Sequence, residues 1–246
     1  MSIFRTIAMF IYLFGYMIVH YGVLRRAERA LAAGDMQLVE ELVNKHIPHW
    51  SRGILKVTGV SLSVEGLENI PKDTPCVFVG NHRSYFDVVM TYARCPRLTG
   101  YVAKIEMLRY PLLRDWMKNL YCLFLDRDDI KAGLKTILKG IEYIKNGISI
   151  CIFPEGTRNH HDELLPFKEG SMKMAEKTGC PIIPMAITNS AEIFEDHIPF
   201  IHRCHVILEY GEPILVSELS KEEKKFLGAY TQQKIQTMLD KNKALL

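Results

Sequence analysis

A histidine and an aspartate lie where a buried strand should turn into a helix. The run Cys76–Val79 is apolar, Gly80-Asn81 is typical of a turn, and Ser84 with Asp87 has the pattern of a capping box. His82 precedes this helix, so its ring can fold back over the first turn and meet Asp87. A carboxylate on one imidazole nitrogen leaves the other nitrogen free to act as a base. The plainer alternative, a capping Asp87 beside a surface His82, stays open on this stretch alone.

A second polar group follows another apolar run. Ile148–Phe153 has the pattern of a buried strand, and the residues P-E-G-T-R follow it at 154–158. Because α/β sheets place their sites at the carboxyl ends of strands, we expect both groups at one edge. Gly156 permits close approach to a ligand, Arg158 suits phosphate, and Glu155 could orient Arg158 or bind a hydroxyl. The alternative is an ordinary loop in which Glu155 and Arg158 pair with each other.

Two further cations are predicted at strand ends. Lys104 follows the apolar run Leu98–Ala103, and Arg127 comes soon after Leu120–Leu125. Either residue alone is more often a solvated surface charge. Polar groups at several strand ends of one domain form a pattern that surface charge explains poorly.

Strand-like runs alternate with helical ones from residue 59 to the end of the chain. The predicted strands cover residues 60–64, 76–79, 98–103, 120–125, 148–153, 181–188 and 204–210. The predicted helices start at residue 84 and cover 132–145, 171–177 and 222–239. This alternation predicts an α/β layered domain, residues 59–246, with a largely parallel or mixed central sheet flanked by helices.

Residues 1–58 are predicted to form an N-terminal helical membrane-associating region. Thr6–Leu24 carries no formal charge and approaches the roughly 20 residues that a spanning helix needs. Three arginines follow it at positions 25, 26 and 29, which favours the cytoplasm for the chain after them. A buried core helix and a secretory signal are the alternatives. Residues 36–58 repeat apolar positions at helical spacing, and Pro48 should kink or split that helix.

Composition excludes several function classes. The net charge of +3 over 246 residues is too weak to argue for nucleic acid, although it suits an anionic membrane or substrate. The six cysteines include no C-x-x-C pair, which indicates reduced thiols in a cytosolic protein. We expect no metal, because His46-x-x-His49 and His202-x-Cys204-His205 lack the context of a zinc motif. The chain also has no P-loop, G-x-G-x-x-G or G-x-S-x-G motif.

The motifs and their order resemble those of the glycerolipid acyltransferases. N-H-R-S-Y-F-D at 81–87 resembles the H-x-x-x-x-D motif of that family, and F-P-E-G-T-R at 153–158 looks like its phosphate-binding motif. Further matches are A-K-I-E-M-L-R-Y-P at 103–111, F-L-D-R at 124–127, L-P-F-K-E-G at 165–170 and P-I-I-P-M-A-I at 181–187. The resemblance covers about residues 60–190 and is closest to the PlsC-like 1-acyl-glycerol-3-phosphate acyltransferases. The chain departs from it at Arg114 and Tyr121, where the family often has glycine.

The resemblance implies a role for each candidate residue. His82 would be the general base and Asp87 its orienter. Lys104 and Arg127 match basic positions of the middle block and are further candidates for the phosphate. The residues that would bind the glycerol phosphate of the acceptor are Glu155, Gly156, Thr157 and Arg158.

The implied reaction moves a fatty acyl chain from acyl-CoA or acyl carrier protein to the sn-2 hydroxyl of lysophosphatidic acid. A neutral histidine can take the hydroxyl proton during attack on a thioester, so no cofactor is expected. The site would lie at the cytoplasmic face of the inner membrane, among the lipid substrates. Three alternatives remain: another lysophospholipid or lyso-aminolipid acceptor, a hydrolase, and a non-catalytic lipid-binding protein.

Overall fold

The computed structural model describes residues 2–94, 97–127, 129–161 and 163–246. Its strands are β1 Ser61–Glu65, β2 Val77–Gly80, β3 Thr99–Lys104, β4 Leu123–Leu125, β5 Ser149–Ile152, β6 Ile182–Thr188 and β7 His205–Tyr210. They form one seven-stranded sheet in the order β1-β7-β6-β2-β5-β3-β4. Each strand overlaps a predicted one, and the α/β fold class with a central sheet flanked by helices is confirmed.

The sheet is mixed, and its direction decides which loops can meet. The strands β6, β2, β5, β3 and β4 run parallel to their neighbours in that order, whereas β7 is antiparallel to β6 and pairs with β1 in parallel. Val79 of β2 is in register with Ile152 of β5 and with Pro184 of β6. The loops after these three strands therefore leave the sheet side by side at its carboxyl edge.

Helices cover both faces of the sheet. They are α1 Ser2–Val19, α2 Tyr21–Ala32, α3 Met36–Thr58, α4 Phe86–Arg94, α5 Pro111–Asn119, α6 Ile130–Lys145, α7 Lys173–Thr178, α8 Lys221–Lys225 and α9 Leu227–Lys243. Successive side chains of a strand point to opposite faces. Phe78 accordingly packs in the apolar layer that includes Met90 of α4, whereas Val77 and Val79 pack in the layer that includes Ile235 of α9.

The uncharged N-terminal segment is not one helix. The chain breaks at His20, whose ring nitrogen Nδ1 lies 3.0 Å from the carbonyl oxygen of Tyr16. The second helix then packs against α3 and α5 and buries Leu24 and Ala27. Within the part of the chain that is described, only α1 is long and apolar enough to cross a membrane. The division of the chain at residues 58 and 59 stays a prediction, although α3 ends there at Gly59, whose φ is 73°.

Two other helices differ from the prediction in detail. Pro48 does not split α3, which runs through it as one helix and packs against α1 and α4. The last predicted helix is two helices separated at Phe226, and the carboxylate of Glu169 accepts hydrogen bonds from Gly228 N and Ala229 N at the start of α9. Such a distant cap leaves no local sequence pattern.

The segment before β4 also differs from the prediction. The helix α5 was not predicted, and the predicted strand over 120–125 begins only at Leu123. Between them Tyr121 takes a left-handed φ of 56°, a conformation that favours glycine. Its carbonyl oxygen also lies 2.2 Å from where a Cβ on Gly100 would stand, so a larger residue at 100 would clash. The departure from the glycine of the family at Tyr121 therefore falls on a strained turn.

Candidate active site

The turn that carries His82 is fastened to the neighbouring strand. Asn81 Nδ2 donates to the carbonyl oxygen of Ile187 at 2.9 Å, and Ile187 N donates to Asn81 Oδ1 at 2.8 Å. This side chain therefore continues the hydrogen bonding between β2 and β6 after the strand has ended. A buried amide with both ends bonded holds the next residue, His82, in a defined position.

His82 and Asp87 meet as predicted from their spacing. His82 Nδ1 lies 2.8 Å from Asp87 Oδ2, and the backbone N–H groups of Arg83 and Ser84 donate to the same oxygen at 2.8 Å. Because an ionised carboxylate can only accept, Nδ1 donates to Asp87, and in a neutral imidazole Nε2 then presents its lone pair. The Asp87 side chain is fully buried, whereas that of His82 is 18% exposed. Nε2 forms no hydrogen bond to any described residue, so it is available to a substrate hydroxyl.

The predicted capping box is half formed. Asp87 accepts from Ser84 N, as such a box requires, but Ser84 Oγ accepts from Phe86 N at 3.1 Å instead of from Asp87 N. Capping of the helix and pairing with His82 are therefore not alternatives, because the Asp87 carboxylate does both.

The His82 ring also stacks on Phe153, which follows β5, with ring centroids 4.4 Å apart.

Glu155 joins the two loops. Its Oε1 accepts from His82 N at 2.8 Å, and its Oε2 accepts from Asn159 Nδ2 at 2.9 Å and from Leu165 N at 3.0 Å. Asn159 N in turn donates to the carbonyl oxygen of His82 at 2.7 Å. Neither oxygen of Glu155 forms a described hydrogen bond or ion pair with Arg158, so the structure does not support the alternative of an ordinary loop in which these two residues pair. The buried Glu155 braces the histidine turn from the neighbouring strand.

Arg158 pairs with a residue that sequence reasoning missed. Its Nη1 donates to Glu195 Oε1 at 3.1 Å and its Nη2 donates to the Tyr85 hydroxyl at 2.9 Å. The guanidinium carbon lies 3.6 Å from the centroid of the Tyr85 ring, and Tyr85 N also donates to Glu195 Oε1 at 2.9 Å. Glu195 comes from the loop after β6, and its side chain is fully buried. Nothing near residue 195 in the sequence marks it.

The other candidates share the edge without contacting the histidine. Gly156 takes a φ of 76° and Thr157 is exposed on the loop after β5. Lys104 ends β3 and pairs with Glu106, whereas Arg127 is exposed beyond β4. At ~4.8 Å per strand, these two strands lie roughly 10 and 14 Å from β2. The catalytic and binding roles assigned above stay predictions.

Cysteine chemistry and metal chemistry gain no support. The described cysteines, Cys76, Cys122, Cys151, Cys180 and Cys204, are free thiols, and Cys95 lies outside the described residues. Burial raises the pKa of the Cys122 thiol to about 11, and burial with Glu192 nearby does the same for Cys204. Thiols with such a pKa hold almost no nucleophilic thiolate at neutral pH. No three His, Cys, Asp or Glu side chains in the described ranges could hold a metal ion, the two histidine pairs considered above included.

Comparison with known proteins agrees with this geometry. The profile of the family described as Acyltransferase matches residues 61–188, which include both strand-end loops. The chain belongs to the acyltransferase family. The resemblance seen in the motifs is thereby confirmed, and the protein is an acyltransferase.

Relatives with a named activity indicate which kind of acyltransferase the chain is similar to. The chain is 34% identical over 189 residues to the 1-acyl-sn-glycerol-3-phosphate acyltransferase of Borreliella burgdorferi, covering 76% of this chain and 74% of that one. It is 30% identical over 185 residues to the enzyme of the same name from Saccharomyces cerevisiae, covering 74% of this chain and 60% of that one.

A solved structure extends the likeness to the whole chain. The crystal structure of the 1-acyl-sn-glycerophosphate (LPA) acyltransferase PlsC from Thermotoga maritima superposes with a TM-score of 0.82 at 26% identity. The match covers 99% of this chain and 98% of that one, so it includes the N-terminal helices.

Proposed function

We propose that this acyltransferase moves a fatty acyl chain from an acyl thioester to the sn-2 hydroxyl of lysophosphatidic acid, giving phosphatidic acid. The observation that carries the proposal is the His82–Asp87 pair. Nε2 of His82 forms no hydrogen bond to a described residue. It lies after the end of β2, next to the loop after β5 that carries Arg158. The named relatives support lysophosphatidic acid as the acceptor.

The residues suffice for direct acyl transfer. His82 Nε2 removes the proton of the sn-2 hydroxyl while the oxygen attacks the thioester carbonyl. The C–O bond forms, the tetrahedral intermediate collapses with loss of the C–S bond, and the imidazolium returns the proton to the leaving thiolate. Asp87 keeps the imidazole in the correct tautomer and stabilises the imidazolium. An ester results without any acyl-enzyme intermediate.

Arg158 is the group best suited to the acceptor phosphate. It follows β5, which pairs with the strand that leads to His82, and its side chain is 27% exposed. Stacking on Tyr85 and pairing with Glu195 hold the guanidinium plane in place. A planar, oriented guanidinium can donate two parallel hydrogen bonds to a phosphate, which a flexible lysine cannot do.

The helix α1 would hold the enzyme on the membrane. Phe4, Ile11 and Ile18 recur every seven residues on one face of it and are 75%, 69% and 63% exposed. The other face packs on α3, which indicates a helix that lies in the interface and does not span it. Ile201 N donates to Thr6 Oγ1 at 2.9 Å, and Ile201 belongs to the loop that carries Glu195. The lipid-facing helix and the proposed phosphate site are thus attached to one loop, on what we propose is the cytoplasmic face.

An acceptor panel tests the reaction. The full-length protein would be incubated with acyl-CoA or acylated acyl carrier protein as the donor. The acceptor would be lysophosphatidic acid, lysophosphatidylcholine, a lyso-aminolipid or monoacylglycerol. Thioester loss and lipid products would be followed by mass spectrometry. We expect phosphatidic acid to form fastest, because only lysophosphatidic acid presents a terminal phosphate monoester.

Other outcomes of the panel would contradict the proposal. Thioester loss without any acceptor would indicate a hydrolase, and equal rates with monoacylglycerol would remove the phosphate from recognition. Lipid binding without turnover would indicate a non-catalytic protein. For the membrane, we expect wild type to float with vesicles that contain phosphatidylglycerol. The triple variant F4S/I11S/I18S should stay in the soluble fraction, and its co-flotation would contradict the role of α1.

A further inference from the structure

The charges around His82 do not yet suit a phosphate. Asp87 and Glu155 are buried carboxylates that face His82, and Glu195 lies against Arg158. Arg158 pairs with Glu195, which already offsets its charge. A phosphate monoester brings about −1.5 to −2 charges at neutral pH. Its binding next to three carboxylates calls for another cation.

Lys168 lies against the loop that carries Arg158. Its Nζ, Cε and Cδ atoms are 2.9, 3.2 and 3.7 Å from the point where a Cβ on Gly156 would stand. The end of the lysine side chain therefore occupies the space that any larger residue at 156 would fill. A backbone hydrogen bond of 3.2 Å from Lys168 N to the carbonyl oxygen of Pro154 ties the two segments together. The absence of a side chain at Gly156 thus brings an amine against the loop that bears Arg158.

Contacts of the two neighbouring residues, Phe167 and Glu169, fix the backbone that places Lys168 against Gly156. Phe167 is buried and its N–H donates to Gln232 Oε1 at 3.0 Å. The Glu169 carboxylate accepts from Gly228 N at 2.8 Å, so it is engaged at the start of α9. No carboxylate of the described residues forms an ion pair with Lys168. Its charge is therefore available to a ligand.

We propose that Lys168 is the second cation of the acceptor site and binds the phosphate monoester together with Arg158. The proposal rests on the function proposed above and adds a binding residue to it. The other cations of the edge are less well placed, because Lys104 pairs with Glu106 and Arg127 follows the edge strand β4. A phosphodiester or diphosphate of the acyl donor has related chemistry, and the experiment separates the two sources.

The test is steady-state kinetics of Lys168→Met, with acceptor and donor varied separately. We expect the KM for lysophosphatidic acid to rise about tenfold or more, the cost of one charge-assisted hydrogen bond. The KM for acyl-CoA and the rate with monoacylglycerol should stay within about twofold. Lys168→Arg, which keeps the charge, should recover most of the affinity.

Lys173→Met is the matched control. Lys173 lies five residues further along the same segment and pairs with Glu176, so its loss should change neither KM. An unchanged acceptor KM in K168M, or a rise confined to the donor KM, would overturn the proposal. If wild type itself does not acylate lysophosphatidic acid, the proposed function fails, and that result is distinct from an active wild type with an unaffected variant.

A second measurement needs no variant. Wild-type protein would be treated with an amine-acetylating reagent, and modification of Lys168 and Lys173 compared by mass spectrometry. We expect glycerol 3-phosphate to protect Lys168 at least severalfold and to leave Lys173 unchanged, while glycerol protects neither. Equal modification of Lys168 with and without glycerol 3-phosphate would overturn the proposal, even if K168M failed to fold.

Discussion

The carboxyl edge of the sheet has two halves that the sequence describes in similar terms and that the structure builds differently. At the β2–β5 half, buried Asp87 and Glu155 bind His82 and the N–H groups of both loops. At the β3–β4 half, Lys104 is exposed and pairs with a half-buried Glu106, and Arg127 is exposed. Both halves end strands in polar residues, but only the first one surrounds them with buried partners.

This difference separates two kinds of recognition. A buried carboxylate that accepts several N–H groups fixes the position of a loop, because leaving those groups unbonded would cost free energy. Lys104 and Arg127 lie two and three strands away from β2, where solvent and salt screen their exposed charges. The β2–β5 half is therefore suited to chemistry that depends on atomic position, and the β3–β4 half to attraction of an anionic substrate. Four predictions test this contrast, from the largest expected effect to the smallest.

His82→Ala should have the largest effect. Removal of a general base typically costs about 10²- to 10⁴-fold in rate, and we expect kcat for lysophosphatidic acid to fall within that range. The KM for the acceptor should change little, because the imidazole contributes mainly to the transition state. The measurement is thioester release, with circular dichroism as the control for folding. Turnover near that of wild type in a folded variant would remove His82 from the base role.

Glu155→Gln should impair both the fold and the activity. The amide can accept hydrogen bonds at only one end, so at least one buried N–H loses its partner at a cost of about 1–3 kcal/mol. We expect the melting temperature to fall by roughly 2–10 °C. The rate should fall as well, because His82 N is one of the groups affected.

Glu163→Gln is the control for that change, because Glu163 is exposed on the same loop and accepts from Asn159 through its backbone carbonyl oxygen. It should melt within about a degree of wild type, in line with the small effect of most surface substitutions. If E155Q and E163Q have the same melting temperature, the hydrogen bonds that Glu155 accepts do not stabilise the fold. The proposed difference between the two halves of the edge would then be wrong.

Arg158→Ala should act mainly on binding. Loss of a charge-assisted phosphate contact is expected to raise the KM for lysophosphatidic acid by about 10- to 100-fold, with a smaller change in kcat. The rate with monoacylglycerol is the internal control, since that acceptor has no phosphate. A raised KM for both acceptors would assign Arg158 to the fold of the loop through Glu195 instead of to the phosphate.

Lys104→Met and Arg127→Met should have the smallest effects. Both side chains are exposed, so we expect the acceptor KM to rise less than about threefold at physiological salt. The difference from wild type should shrink further at 0.5 M salt, because screening weakens exposed charges. An effect as large as that of Arg158→Ala would show that the β3–β4 half closes onto the substrate.

Local patterns in the sequence determined the strands of this protein and the pairing of the histidine with the aspartate, but only some of its helices. Each strand of the described residues overlaps a predicted one, because each is a short apolar or alternating run bounded by turn residues. The pairing of His82 with Asp87 also follows from spacing, since both lie within one strand–turn–helix unit. The predictions failed where a distant partner decides the structure, as at the start of α9, which Glu169 caps.

Only the tertiary structure decided which charges meet. The sequence left open whether Glu155 orients Arg158, binds a hydroxyl or simply pairs with Arg158. In the structure Glu155 accepts from His82 N, and Arg158 pairs with Glu195, a residue 37 positions along the chain. Lys168 reaches the same loop because Gly156 leaves room for it. Such contacts depend on strand order and on which loops leave the sheet as neighbours, and no local pattern encodes either. The sequence by itself therefore located the His82–Asp87 pair and the loop that carries Arg158, and the fold selected their partners.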